Sequence, residues 1–314
     1  MGEFDFIAQH FRPLAGKGAF QLRNDGAVLS APEGYDLAIS SDTMVENLHF
    51  LPDDPAHTIA QKLLRCNLSD LAAMGALPAG YMLNVSVPSG SRYNDAWFGD
   101  FSQGLAHDQD YYQFSLLGGD TTGSPGPLVL SLTIFGFQKR GQVLRRDKSK
   151  PGDQVWVTGS LGRAALGLQA RKGQLLDPTG ELVQAYRVPT PRVGLPLYGI
   201  ATAALDISDG LIQDAGHIAE ESKVAITLYV NRIPFSEAVR QQGEKWHEVA
   251  LIGGDDYELL LTCPPDKSDE LLQRCRDHHV PITQIGEVTE GKGVTLLDAA
   301  HHPMRLSRTG WQHF

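Results

Sequence analysis

Cysteine is scarce in this chain. Cys66, Cys263 and Cys275 are scattered, odd in number and never form a Cys-x-x-Cys pair, which excludes a disulfide framework and a cysteine-based zinc site. Basic residues are in deficit too: 27 Lys and Arg stand against 37 Asp and Glu, and the formal charge of -10 argues against a nucleic-acid binder. No apolar run is long enough to span a bilayer, and the acidic start MGEFDFIAQHF lacks a signal-peptide core, so a reducing, cytoplasmic setting is expected. Repeats, heptads and low-complexity tracts are missing. So are the Walker A sequence and the protein-kinase motif set, which leaves room only for a nucleotide site of another type. What remains is an ordinary globular composition, 42% hydrophobic and 20% charged, over 314 residues, a length that suits two domains.

Oxygen-bearing side chains are plentiful, and they recur where regular structure is expected to stop. The strand pattern Asp36-Leu37-Ala38-Ile39 gives way to Ser40, Ser41, Asp42 and Thr43, with His49 soon after. Such residues form ordinary turns, and they also suit a hard cation or a phosphate, because hydroxyls and carboxylates converge there without bulk. Similar junctions occur at Asn24-Asp25, Asn67–Asp70, Gly118–Thr121, Asp206–Gly210 and Gly253–Glu258. Asp25, Asp42, Asp70, Asp120, Asp206 and Asp209 all stand at them, and carboxylates brought together must take up protons or cations. Oxygen-only ligands point to Mg²⁺. Ser208-Asp209-Gly210 at a helix start offers backbone N–H groups to an anion, as do the glycines before Asp120. His49 fits a satisfied structural histidine as well as a ligand, and Trp311 fits packed core or a stacking surface.

Periodicity places the junctions on elements. Phe4, Ile7, Ala8 and Phe11 have helical spacing that Pro13 ends, and Ala27-Val28-Leu29 reads as a short strand. Thr58–Met74 is a helix that puts Asn67 and Asp70, at i and i+3, on one face, where a buried Asp needs a partner or a metal; an exposed polar stripe is the alternative. Tyr81–Val87 and Leu128–Phe137 alternate as strands, Trp97 to Leu105 mark a helix, and Phe114–Leu117 is a strand expected to break at Gly118. The basic stretch Lys139–Lys150 and the turn Pro151-Gly152-Asp153 mark the best domain boundary. Strands Gln154–Thr158, Ala203–Ile207, Val224–Val230, Leu259–Thr262, Pro281–Val288 and Gly293–Leu297 follow. Helices are expected over Arg163–Ala170, after Gly210 and over Asp269–His278, with loop and a short helix over Gln174–Thr190.

The segments GEFDFIAQHF, SSDTMVENLHF, NLSDLAAMGA, LLGGDTT, KPGDQVWVTG, DISDGL, GGDDYELL and GWQHF run from Gly2 to Phe314 in the order found in the thiamine-monophosphate kinase family, which the chain resembles. NLSDLAAMGA and LLGGDTT are shared in part with aminoimidazole ribonucleotide synthetases and selenophosphate synthetases. The resemblance implies an α+β fold of two domains. Residues 1–140 would form an N-terminal mixed α/β domain that binds metal and ATP and whose sheet forms a dimer barrel; residues 141–314 would form a C-terminal α/β domain completing the active site. It implies direct transfer of the γ-phosphoryl of ATP to thiamine monophosphate in a homodimer, with several Mg²⁺ ions and no phosphoenzyme. By motif, Asp25, Ser40, Ser41, Asp42, Asp70, Asp120, Asp206 and Asp209 would hold Mg²⁺, with Asp42, Asp120 and Asp209 central to catalysis. Gly119, Asp120, Arg146 and Ser208 would contact ATP, and His49, Asp255 and Trp311 the thiamine phosphate.

The implied chemistry is coherent. Phosphoryl transfer asks mainly for alignment and charge neutralisation, and a phosphate acceptor with a second pKa of about 6 needs no general base. Arg146 can fork onto phosphate oxygens, and Trp311 can stack on a cationic ring. The chain departs from the family pattern twice. Arg23-Asn24-Asp25 stands where Gly-Asp-Asp is common, and Asp255 stands where Glu is usual. Alternatives of other kinds are a related ATP-dependent synthetase, a nucleotide-binding homologue without turnover, and a Mg²⁺-dependent phosphatase. Product analysis separates them.

Overall fold

A computed structural model describes residues 3–90 and 92–311. Gly2 of the first motif and Gln312, His313 and Phe314 of the last lie outside the described residues. The chain divides into two compact units, one of residues 1–71 and 76–141, the other of residues 72–75 and 142–314.

The first unit carries a four-stranded sheet of β1 (Tyr35–Val45), β2 (Leu77–Pro88), β3 (Leu116–Ser124) and β4 (Val129–Lys139), ordered β1-β4-β2-β3. Only β2 and β3 run parallel. Helices α1 (Glu3–His10), α2 (Ala56–Ala73) and α3 (Asp95–Tyr112) complete it. Ile59, Leu63, Leu64, Leu68 and Leu71 of α2 are each at most 2% exposed. Burying side chains of this size stabilises by about 1.5–3 kcal/mol apiece before chain entropy is counted. α2 lies against the inner sheet face, where a Cβ on Gly136 would meet Leu71 Cδ1 at 2.8 Å. α2 and α3 touch backbone to backbone: a Cβ on Gly104 would come within 2.2 Å of the His57 carbonyl oxygen. The fully buried Asp108 of α3 accepts from Arg65 Nε and Nη2 at 2.7 and 2.8 Å, which fixes their register.

The second unit is a six-stranded sheet of β5 (Gln154–Thr158), β6 (Ala203–Asp206), β7 (Ala225–Tyr229), β8 (Leu259–Cys263), β9 (Ile282–Thr289) and β10 (Gly293–Leu297), in the order β10-β7-β9-β5-β8-β6. Its helices are α4 (Arg163–Arg171), α5 (Glu181–Arg187), α6 (Leu211–Ser222), α7 (Glu237–Arg240), α8 (His247–Ile252) and α9 (Ser268–Asp277). Both faces of the sheet are covered. Val155, Val157, Leu205 and Leu260 pack with α6, while Trp156, Ala204, Leu259 and Leu261 pack with Leu271 and Cys275 of α9. Two buried faces explain why these strands are apolar throughout instead of alternating with polar residues.

Three sequence expectations are corrected. Ser40–Thr43 do not follow a strand but lie within β1, because the apolar β4 pairs with them from Ser40↔Ile134 to Thr43↔Ser131. β3 does not break at Gly118; it runs through Gly118, Gly119 and Asp120 to Ser124, paired with β2. Ala27-Val28-Leu29 is not a strand. Val28 is 59% exposed, with no apolar face to join, and one backbone bond ties it to Gly18.

Candidate active site

In the first unit the two-residue period of β1 sorts the oxygens by face. Ser40 and Asp42 point inward with the buried Ala38 and Met44, and Ser40 Oγ donates to Asp70 Oδ2 of α2 at 2.5 Å. Asn67, one turn before Asp70, is fully buried, and its Oδ1 has no hydrogen-bond partner among the described residues. Burial, and then the nearby Asp70 charge, push the Asp42 carboxyl up to about 7. The Asp42 and Asp70 carboxyls, with the Ser40 hydroxyl bonded to Asp70, form an oxygen-only donor set. Such a set fits a divalent cation such as Mg²⁺. Ser41 does not join it: its hydroxyl lies on the opposite face, bonded to the Leu132 carbonyl oxygen and Thr133 Oγ1 at 3.0 and 3.0 Å.

Asp25, Gly119 and Asp120 meet elsewhere in the unit. They line a cleft with Asn24 and Thr121 at its polar rim and Ile7, Phe11 and Leu83 among its apolar walls. An apolar pocket with a few convergent polar groups is the usual form of a small-molecule site. A Cβ on Gly119 (φ 155°) would stand 1.7 Å from the Leu83 carbonyl oxygen, so only glycine lets β3 approach β2 here. Beside the cleft, Phe20, Gln21 and Leu22 are successive left-handed residues, an arrangement that stores strain. His49 is held in the turn after β1. Its Nδ1 accepts from Val45 N at 2.9 Å, which puts the ring proton on Nε2.

Asp42 and Asp120 are not brought together within one chain. The register row Thr43–Ser131–Asn84–Asp120 places Asp120 on the face opposite Asp42. β1 and β3 are the two edges of the sheet, three strand spacings or roughly 14 Å apart.

In the second unit three segments converge. Ser208-Asp209-Gly210 links β6 to α6, and the Ser208 carbonyl oxygen accepts from Asp255 N at 3.0 Å while that of Asp209 accepts from Trp311 N at 2.9 Å. Asp206, 8% exposed, ends β6 just before this turn. The turn's amides are not open to an anion, contrary to expectation: Asp209 N and Gly210 N donate to Asp214 Oδ2 at 3.1 and 3.0 Å. Asp214 occupies the place the sequence reserved for a phosphate, and burial followed by the Asp209 charge raises its carboxyl to about 7. Asp209, Asp214 and His217 each offer a ligand atom, all within 4.8 Å of one another. Asp214 and His217 escaped the sequence reading, although their spacing of four and seven from Gly210 puts them on one helical face. Arg146 is not brought to Ser208. Its carbonyl oxygen accepts from Ser222 Oγ at 2.9 Å, at the far end of α6, about 18 Å along the helix from its start.

Models of the AIR synthase related protein family match residues 23–138 (N-terminal domain) and 150–299 (C-terminal domain). A thiamine-monophosphate kinase of Caulobacter vibrioides is 41% identical over 99% of this chain and 90% of its own length. The chain belongs to the thiamine-monophosphate kinase family. The family member from Stenotrophomonas maltophilia K279a superimposes with a TM-score of 0.81 at 39% identity, covering 88% of this chain and 89% of that one. AaThiL complexed with AMPPCP and TMP superimposes with a TM-score of 0.78 at 28% identity, covering 100% of this chain and 97% of that one.

Burial gives this family member a pH signature. Asp42, Asp214 and Asp256 sit at about 7, 7 and 8 against an ordinary 3.8. Between those values the native state binds more protons than the unfolded chain, so stability falls as pH rises through this window. The depressed carboxyls, Asp147, Glu237, Glu248, Glu270 and Asp298, act only below their ordinary values, under about pH 4.5. Calorimetry in chelator is therefore expected to give a Tm highest near about pH 5 and lowest above about pH 8. A Tm that climbs from 5 to 8 would contradict these burials.

Proposed function

We propose that the chain transfers the γ-phosphoryl group of ATP directly to thiamine monophosphate, giving thiamine diphosphate and ADP. The observation carrying this is the full-length similarity to AaThiL, a relative complexed with AMPPCP and TMP. The acceptor oxygen is already largely ionised near neutral pH. The residues' work is then to align two anions and offset their repulsion, which suits a site rich in carboxylates and poor in bases.

Ser40, Asp42 and Asp70 would hold Mg²⁺ in the first unit, and Asp206 and Asp209 in the second, while Asp25 and Asp120 would supply ligands at the cleft; Ser41, on the opposite strand face, is not placed in the first-unit set. Bound there, Mg²⁺ neutralises charge on the phosphate oxygens. Gly119 lets the β3 backbone come close to the nucleotide, Asp120 closes the polar rim, and Ser208 would reach its phosphates; Arg146, at the far end of α6 from Ser208, is not placed on the same phosphates. His49, as an Nε2–H donor, Asp255 as a carboxylate facing the cationic thiazolium and Trp311 as a stacking surface would take the acceptor. Residues 1–140 would serve metal, ATP and dimer contact, and residues 141–314 would complete the site. The burial of Cys66, Cys263 and Cys275, with none in a disulfide, supports a reducing, cytoplasmic setting. Among the described residues no helix is long and apolar enough to cross a membrane.

A homodimer is part of this proposal. The outer sheet face is apolar at one end, in the row Leu37–Phe137–Leu77 and at Ile39 beside Phe135. Leu37, Ile39 and Leu77 are 46%, 53% and 57% exposed. A second copy laid on this face would cover it and could unite the Asp42 edge of one chain with the Asp120 edge of the other. Leu37→Glu with Ile39→Glu is expected to halve the mass in light scattering and to abolish turnover; a dimer that persists, or an active monomer, would count against it.

The deciding experiment is chromatography of thiamine phosphates after incubation with ATP and either thiamine or thiamine monophosphate. Diphosphate is expected from the monophosphate alone, and only with Mg²⁺. ATP binding with no diphosphate would refute the proposal.

A further inference from the structure

The segment Gly253–Glu258, between α8 and β8, holds two non-glycine residues in the left-handed region: Asp255 (φ 72°) and Tyr257 (φ 51°). Asp adopts this region readily, but for Tyr it is an uncommon, strained state that persists only where surroundings impose it. The imposition is visible. Asp255 N donates to the Ser208 carbonyl oxygen at 3.0 Å, Tyr257 N to that of Ile207 at 2.8 Å, and Ile207 N to that of Glu258 at 2.8 Å. A Cβ on Gly254 would come within 2.2 Å of the Ser208 carbonyl oxygen, so the two segments lie backbone to backbone.

Glu258 anchors the end of the loop. It is 1% exposed; Arg192 donates from Nε and Nη2 to its two oxygens at 2.6 and 2.6 Å, and Thr158 Oγ1 donates at 2.7 Å. Gly159 makes room for this pair, since a Cβ there would lie 1.8 Å from Glu258 Oε1. At the other end of the effect, Tyr257 Oη donates to Asp255 Oδ1 at 3.2 Å, and Asp255 lines a cavity with Arg163, Gln184 and Thr190. A buried ion pair is seldom the most stabilising filling for such a position. What a bidentate pair does supply is direction: with Glu258 drawn inward, the residues before it are committed to their strained orientation.

We propose that Arg192, Glu258 and Tyr257 are positioning residues that hold the Asp255 carboxylate for the phosphate acceptor, so that they govern acceptor affinity without governing nucleotide affinity. The assignment rests on the proposed function, in which Asp255 meets thiamine monophosphate. Lysine at 192 keeps the charge and loses the planar fork, which separates positioning from mere stability.

The test is steady-state kinetics of the full chain, with each substrate varied, alongside Tm. Arg192→Ala is expected to lower Tm and raise the KM for thiamine monophosphate. Arg192→Lys should recover most of the Tm while its acceptor KM stays about 5–10-fold raised, and Tyr257→Phe should raise that KM about 3–5-fold at unchanged Tm, with ATP KM constant in both. A Lys variant with wild-type acceptor KM, or variants that raise both KM values in proportion, would overturn the assignment alone. A wild-type chain that leaves thiamine monophosphate unphosphorylated would instead sink the functional proposal, and this one with it.

Discussion

Replacing Asp42 by asparagine is expected to lower kcat by about 10²–10³-fold, the scale seen when one preorganised electrostatic group is lost from a phosphate or oxyanion site. The substitution keeps the side chain's size and its place between Ser40 and the β4 ladder, and removes only the charge. The same change is expected to stabilise the metal-free chain at high pH. Asp42 is held near 7 by burial and by Asp70, so ionising it above that value opposes folding, and asparagine has nothing to ionise. Activity and Tm should therefore move in opposite directions, and the Tm gain should shrink as pH falls from about 7 and vanish only below about pH 4. Saturating Mg²⁺ should raise the wild-type Tm at pH 8 more than that of the variant. A variant that loses activity and stability together would point to a packing role instead.

Gly119→Ala is expected to be the most damaging single methyl group in the first unit. The added Cβ would meet the Leu83 carbonyl oxygen at 1.7 Å, with the Leu83 carbonyl carbon at 2.6 Å. These are backbone atoms of the paired strand and cannot rotate away, so β3 must part from β2 along the wall of the cleft. A loss of about 3–5 kcal/mol in urea unfolding is expected, with ATP affinity lowered at least about tenfold in calorimetry. Gly118→Ala is the control: its nearest neighbour would be Met82 Cε at 3.7 Å, an ordinary contact, and it should leave stability within about 0.5 kcal/mol. Equal effects at the two positions would mean that the close approach of the strands is not what demands glycine at 119.

Much of the architecture was open to a reader of the chain. The α2 pattern of Ile59, Leu63, Leu64, Leu68 and Leu71 predicts a helix with one buried face, and all five are buried. The alternation of Leu128, Leu130, Leu132 and Ile134 predicts a strand with one inward face, and each is fully buried. α7 and α8 were not anticipated: with four and six residues they are too short for a period to show. Ser40–Thr43 misled for the opposite reason. Hydroxyls and a carboxylate have turn chemistry locally, yet eleven residues of β1 stay extended because β4 offers a complete ladder to them.

Local order and spacing, which the chain carries by itself, determined the helices, the apolar strands, the motif set and with it the kinase family. Tertiary structure alone decided which oxygens meet. Sheet pairing turned Ser40 and Asp42 toward Asp70 and Ser41 away, because side chains alternate strictly along a strand. The strand order β1-β4-β2-β3 put Asp42 and Asp120 on opposite edges, a fact no spacing between residues 42 and 120 contains. The fold of the 206–214 segment gave the Ser208–Gly210 amides an internal carboxylate, Asp214. In each case the physical reason is the same: hydrogen-bonding capacity is a property of the residue, but the partner that satisfies it is chosen by the surface that packing brings within 3 Å or so.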